Sequence, residues 1–365
     1  MMYRFMEHSR PVVYGSILVL LALMPRAALS EYLFGEPTKV PNLSSDLQEK
    51  WPQISRDGLA LYFVSDGDIW MSHRTTVNEP WSAPSALDGP VNSTSTQTTP
   101  SISSDGLELY FSDDQCVGGF GDYDLWVSTR ASRDDTWGIP VNLGATINSE
   151  YTEDSPCISA DGLALYYRFN DPDNPRNSEI LVSVRTSKDS PWSEPSILGV
   201  NVNSNEYEAT PFISSDGLSL FFSRGFSKSH IWVSCRRSIT DPWLPAQFVE
   251  SVNSGSSFDV WGDSPGGAEY SSSFAEGDST LYFCGATSFL SNDFDLWQVQ
   301  VTLVVDFNAD GSVDILDAYD LLDHWGQVTT RRNNAAYDIA PFPFGDQIVD
   351  AKDLKVLADH LGMSE

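Results

Sequence analysis

Cysteine is scarce in this chain, with four residues in 365. Cys116, Cys157, Cys235 and Cys284 include no C-x-x-C pair, which excludes a zinc ribbon or a thioredoxin-type motif, and their spacing assigns no disulfide. Cys157 and Cys284 stand among apolar strand residues, where small buried hydrophobes belong. Basic residues are also few, 21 against 51 acidic ones, for a net charge of −30. So negative a surface repels nucleic acid and anionic membranes and is compatible with cations and neutral glycans. The five histidines do not cluster, and the chain has no H-E-x-x-H and no glycine-rich phosphate loop. No Ser–His, Cys–His or zinc-protease constellation is therefore signalled.

One long apolar run occurs, "PVVYGSILVLLALM" at 11–24. Arg4 and Arg10 precede it, and Ala28 and Ser30 follow as small residues. This is the layout of a secretory signal peptide over residues 1–30, too short to serve well as a membrane span. Its removal leaves 18 basic and 50 acidic residues, a net charge of −32. The mature chain is expected to be secreted, periplasmic or surface-located.

What is abundant is one phrase. "ISRDGLALYF" at 54–63 returns as "ISSDGLELYF" at 102–111, "ISADGLALYY" at 158–167 and "ISSDGLSLFF" at 213–222. Each copy is followed by Asp-Ile/Leu-Trp or a variant (Asp68–Trp70, Asp124–Trp126, Glu179–Leu181, His230–Trp232) and then by W-x-x-P (Trp81–Pro84, Trp137–Pro140, Trp192–Pro195), with a looser version at Trp243. Short strands rich in aromatic and branched residues, broken by Asp-Gly and Pro, read as all-β. Four strands per period of about 50 residues is the pattern of a propeller blade. Asp57, Asp105, Asp161 and Asp216 are therefore expected as turn residues, because Gly accepts positive φ and Asp bonds its own backbone. A fifth, degenerate copy runs from "SFAEGDSTLYF" at 273–283 to Asp295–Trp297 with no W-x-x-P after it. "FGEP" at 34–37 supplies the missing piece from the other end of the chain. The expectation is an all-β, five-bladed β-propeller over 31–303 with an N-terminal strand closing the ring, which removes its exposed edges. These repeats resemble the PD40 family of WD40-like propeller repeats, as in TolB, over about 34–300. That resemblance implies a binding platform, although TolB-type propellers generally have six blades.

Three residues before each repeat proline stand Glu49, Gln97, Glu153 and Glu208. In a propeller this is where one blade hands over to the innermost strand of the next, so these side chains are expected at one end of the ring. The long loops with Phe120, Tyr123 and Phe289 open there too. Three readings stay open. The end binds a glycan or a protein, it is a glycoside hydrolase using paired carboxylates, or the repeated acids are structural. Non-repeated acids such as Glu150, Asp154, Glu206 and Asp259 are the better catalytic candidates, since a catalytic pair is usually unique.

Composition changes at 304–365. Asp306, Asn308, Asp310, Ser312, Asp314 and Asp317 fall at positions 1, 3, 5, 7, 9 and 12 of a calcium loop, with Gly311 at its turn. The loop runs into one amphipathic helix that Gly326 stops. "GDQIVDAKDLKVLADHLG" at 345–362 repeats the pattern. This duplicated loop–helix resembles a type I dockerin. The resemblance implies a small α-helical domain binding Ca2+ through those residues and through Asp338, Asp346, Asp350 and Asp353. It also implies a cohesin-like partner contacted by Ile315, Leu316 and Leu322. Gln347 replaces the turn glycine of the second loop, and Pro341–Phe344 lengthen it.

Overall fold

The computed structural model describes residues 32–303, apart from 35–37, 44, 46, 115–116, 172–177, 216, 226–228, 237, 249–271, 275–279 and 287–293. These residues form one compact unit, Tyr32–Leu303. The expected signal peptide and dockerin-like segment, Asp216, Asp259 and Phe289 lie outside the described residues.

Two short strands come first, β1 (Tyr32–Phe34) and β2 (Thr38–Lys39). The first blade follows as β3 (Glu49–Ile54), β4 (Ala60–Ser65), β5 (Asp68–His73) and β6 (Ser85–Ala86), and the second as β7 (Gln97–Ile102), β8 (Glu108–Asp113), β9 (Asp124–Thr129) and β10 (Val141–Asn142). The third is β11 (Thr152–Ile158), β12 (Ala164–Asn170), β13 (Ser178–Val184) and β14 (Ser196–Ile197). The fourth is β15 (Glu208–Ile213), β16 (Ser219–Arg224), β17 (His230–Cys235) and β18 (Gln247–Phe248). Each is an antiparallel meander in chain order. In the fifth blade β19 (Ser272–Phe274), β20 (Thr280–Ala286) and β21 (Phe294–Leu303) lack an outer strand of their own. β1 pairs with β21 at Val301–Leu303 and β2 with it at Trp297–Gln298, so the N-terminus supplies the missing edge. The first strand of each blade packs against that of the next, and β19 packs on β3, closing the ring of five.

The core lies between blades. Ile54, Leu61, Phe63 and Trp81 of the first blade pack with Tyr282, Cys284 and Leu296 of the fifth. Tyr110 and Leu125 of the second meet Leu165, Tyr167 and Leu181 of the third. Full burial of each such side chain contributes about 1.5–3 kcal/mol, so the blade-to-blade layers hold the ring. Cys157 and Cys284 sit buried in these layers.

The Asp-Gly turns join first and second strands. Gly58, Gly106 and Gly162 adopt φ of 71°, 75° and 73°, open to a residue without Cβ. In each turn the Asp Oδ1 accepts from the serine two residues earlier and from the backbone N–H two residues later, as with Ser103 Oγ (2.6 Å) and Leu107 N (3.0 Å) on Asp105. The same end carries a repeat that landmark reading passed over. Arg74, Arg130, Arg185 and Arg236 each donate Nε–H to the carbonyl of the turn glycine at 2.7–2.8 Å. Each also stacks its guanidinium 4.3–4.5 Å from the ring centroid of the tryptophan seven residues on. Between blades, Arg133 pairs with Asp57, Lys188 with Asp105, and Arg185 with Glu108 at 2.9 Å. Burial alone would raise the Asp105 carboxyl; hydrogen bonds from Lys188 and Ser103 and the lysine charge outweigh it and bring the group down to about 2.

Candidate functional site

The opposite end of the ring is where the first strands begin, and the connectors that lead into them share one latch. Asn92, Asn148 and Asn203 each accept the backbone N–H of Ile69, Leu125 or Ile180 at 2.8 Å and donate to that residue's carbonyl at 3.0 Å. Each asparagine thus ties its connector to the third strand of the blade just completed. The serine after it turns the chain and meets the next blade's first side chain. Ser149 donates N–H to Glu153 Oε2 at 2.8 Å and its hydroxyl to Oε1 at 2.5 Å. Ser45 bonds Glu49 and Ser204 bonds Glu208 in the same way, through their hydroxyls. Gln97 makes the reciprocal pair, accepting from Ser93 N at 3.2 Å and donating to Ser93 Oγ at 2.8 Å.

The four repeated residues therefore share one end, but they face inward. Glu49, Gln97, Glu153 and Glu208 are 1%, 0%, 1% and 0% exposed. Their cross-strand neighbours fit their chemistry. Gln97 replaces glutamate where Asp113 stands opposite, and its amide donates to Asp113 at 2.6 Å. Glu208 stays acidic opposite Arg224, 2.8 Å away. Glu153 faces Phe169 instead. Burial pushes its carboxyl up to about 7, the Asp124 and Asp154 charges adding to this while the Ser149 bonds oppose it. Burial likewise raises Glu208, against the bonds from Ser204 and Arg224.

Past these latches the first strand of each of the first four blades carries a bulge. The register slips by one residue between Lys50 and Gln53, Thr98 and Ser101, Asp154 and Cys157, and Ala209 and Phe212. Trp51, Thr99, Ser155 and Thr210 occupy the bulge at φ of 51°, 47°, 52° and 46°, each just before the repeat proline. Proline has no N–H to give a ladder, so within a strand it belongs at a bulge. A left-handed, non-glycine residue is costly, and its return in four blades marks a feature the tertiary packing enforces. The bulges also link neighbours, since Ser155 N donates to Thr99 Oγ1 at 3.1 Å.

Around the bulge the blades differ. Lys50, Thr98, Asp154 and Ala209 are equivalent, and opposite them stand Val64, Ser112, Arg168 and Ser223. Asp154 and Arg168 form a buried ion pair, with Arg168 Nε 2.6 Å from Oδ1 and a second bond to Oδ2, and the guanidinium lies 5.1 Å from the Tyr207 ring centroid. Lys50 Nζ sits 4.7 Å from the Phe294 ring centroid and 5.8 Å from that of Trp51. The loop after β8 leans onto the third blade, where Asp122 N donates to Tyr151 O at 3.1 Å and Tyr123 bridges Thr152. It presents Phe120 half-exposed, while Asp124 is held inside by the N–H groups of Phe120 and Gly121. Of the non-repeated acids, Glu150 and Glu206 are exposed and Asp154 is buried. No cluster of three or more metal-ligating side chains occurs among the described residues. All the expected calcium ligands, Asp306 to Asp317 and Asp338 to Asp353, and the partner positions Ile315, Leu316 and Leu322 lie outside them.

No protein-family model and no curated protein matches this chain. Solved structures do. A protein assigned as TolB from Agrobacterium tumefaciens is 15% identical over 75% of this chain and 85% of that one, with a TM-score of 0.44. A GH62 hydrolase solved with xylotriose is 11% identical over 76% and 98%, with a TM-score of 0.50. α-L-arabinofuranosidase from Lactobacillus brevis is 14% identical over 72% and 92%, with a TM-score of 0.48. At such identities the likeness is one of fold. Fold alone does not choose between binding and catalysis.

Proposed function

We propose that the chain is an exported, non-catalytic recognition module. Its propeller binds a glycan or protein outside the cell, and residues 304–365 form a calcium-loaded, dockerin-like tether to a cohesin-type partner. The observation that carries the first half is the fate of the repeated acids. Glu153 bonds Ser149 through both carboxylate oxygens, and Glu49 and Glu208 each bond a connector serine through Oε1. That leaves the residues that differ between blades to read a ligand. The tether rests on donor chemistry: six oxygen-bearing positions at alternate spacing around Gly311 suit a hard divalent cation, and carboxylates so close repel one another without one.

The enzyme reading has one observation in its favour. A carboxyl held near 7, as Glu153 is, is the state a glycosidase proton donor requires. Its 1% exposure and two bonds to Ser149 weigh against it.

The deciding experiment incubates the mature protein, with calcium, on a panel of plant, algal and bacterial polysaccharides. Retention on a polysaccharide without release of reducing ends is expected. Release abolished by Glu153→Gln or Asp154→Asn makes the protein a glycoside hydrolase. For the tether, chelation is expected to lower the helical circular dichroism of the full chain, and Asp310→Ala to make the calcium response weaker. A signal indifferent to chelator overturns it.

A further inference from the structure

At the seams between blades, the start of one blade's third strand lies against the start of the next blade's first strand. Gln97 N donates to Gly67 O and Glu153 N to Tyr123 O, both at 2.9 Å. Ser178 bridges Tyr207, and β21 packs on β3. Beside each joint the third strand carries an acid, Asp68, Asp124, Glu179 or Asp295, and the first strand answers with Gln97, Glu153, Glu208 or Glu49. Three of these four seams include a neutral amide or a cation. Gln97 is uncharged, Glu208 has Arg224 at 2.8 Å, and Asp295 has Lys39. Between the second and third blades, neither Asp124 nor Glu153 has an ion pair among the described residues, and each is 1% exposed. The groups around Glu153 supply no spare positive charge. Arg168 is taken by Asp154, Tyr167 is a phenol that burial keeps neutral, and the cross-strand neighbour Phe169 is itself opposite the acid Glu179.

A strap of chain depends on this seam. The Asp124 carboxylate accepts the N–H groups of Phe120 at 2.5 Å and Gly121 at 3.1 Å and the amide of Asn142 at 3.0 Å. Asp122 N donates to Tyr151 O at 3.1 Å, and Gly121 comes so close that a Cβ would collide with that carbonyl. We infer that the seam is a proton-operated catch: with Glu153 protonated, Phe120–Asp124 lies on residues 151–153, and loss of that proton releases it. A second negative charge beside Asp124 meets no counter-ion, and like charges repel strongly in a buried site. Detaching the strap lets water reach both carboxylates and moves Phe120, half-exposed at this end. The sign follows from the Glu153 carboxyl, raised to about 7 from an ordinary 4.5. The closed seam holds a proton that the opened one gives up, so closure is firmest below about pH 4.5 and weakens up to about pH 7. The catch needs no ligand and so stands apart from the proposed recognition role.

The test is hydrogen–deuterium exchange of the mature protein between pH 5 and pH 8, with each rate divided by that of an unstructured peptide. The amides of Phe120, Gly121 and Asp122 are expected to exchange up to about 40-fold faster at pH 7 than at pH 5, the limit that one proton sets, and then to level off. Peptides from β12 should stay protected over the same times, which separates release of the strap from unfolding. Glu153→Gln removes the charge and should flatten the pH dependence. Phe169→Arg should flatten it too, by giving Glu153 the cross-strand cation that Glu208 has in Arg224. The readout is the slope with pH, so a variant that merely loosens the strap does not imitate the result. Three results overturn the inference: exchange at 120–122 indifferent to pH, the unmodified protein's slope kept in either variant, or β12 exchanging together with the strap.

Discussion

The two ends of the ring follow opposite rules. At the Asp-Gly end the first four blades are alike: serine, glycine, arginine and tryptophan meet in one arrangement four times, joined by the aspartate in the three blades where it is described. At the end where the first strands begin, the connectors are alike but the residues just beyond them are Lys50-Trp51, Thr98-Thr99, Asp154-Ser155 and Ala209-Thr210. Repetition marks what every blade needs in order to pack on its neighbour. Departure from repetition marks positions that packing leaves open to another use.

Substitutions can separate the two rules, and the largest effect is expected at the varied end. Asp154→Ala leaves Arg168 buried without its counter-ion, which costs about 3–5 kcal/mol. A steep fall in melting temperature checks it, and Asp154→Leu with Arg168→Met should recover much of the loss. Next comes the repeated end. Arg130→Ala removes a bond to Gly106 O and a stack on Trp137, about 2–3 kcal/mol together, and Arg185→Ala should cost at least as much because it also frees Glu108.

A smaller effect tests the latch. Glu153 has its folded-state carboxyl raised to about 7 from an ordinary value of 4.5. The folded protein then holds a proton that the unfolded chain has given up, so stability falls as pH rises from about 4.5 to about 7 and levels off above. Glu153→Gln can copy the Gln97–Ser93 pair. It should raise the melting temperature by a few degrees at pH 8 and leave it nearly unchanged at pH 4.5. A variant that loses stability at pH 8 would show that the latch needs a carboxyl. The smallest effect is at Ile239, which stands where Arg133 and Lys188 stand in their blades, four residues before the tryptophan. Asp161 has no ion pair among the described residues. Ile239→Arg would extend the ladder of Asp57–Arg133 and Asp105–Lys188, for at most about 1 kcal/mol at an exposed site, and should show as a small rise that added salt removes.

Much of this was legible in the chain. The four Asp-Gly phrases, the orphan N-terminal "FGEP" and the fifth copy without W-x-x-P lead to five blades closed by an N-terminal strand, which is what the strand pairing shows. The Arg–Trp stack was readable too, as an arginine always seven residues before the tryptophan, but it falls between the landmarks that draw the eye. The asparagine latch is a constant 23 residues from Ile69, Leu125 and Ile180 to its asparagine. What spacing could not deliver was the inward turn of Glu49, Glu153 and Glu208, because serine four residues earlier looks like any loop serine until the connector is folded.

By itself, then, the sequence determined the period, the blade count and the turn chemistry, since these depend on local backbone preference and on side chains close along the chain. Only the tertiary structure decided which side chains stand at the varied end. The bulge before each repeat proline slips the register by one residue, so that Ser155 lies beside Arg168 and Trp51 beside Val64. A one-residue slip changes which side chains meet across a strand pair, and it is the packing of five blades around one axis that holds that slip in place.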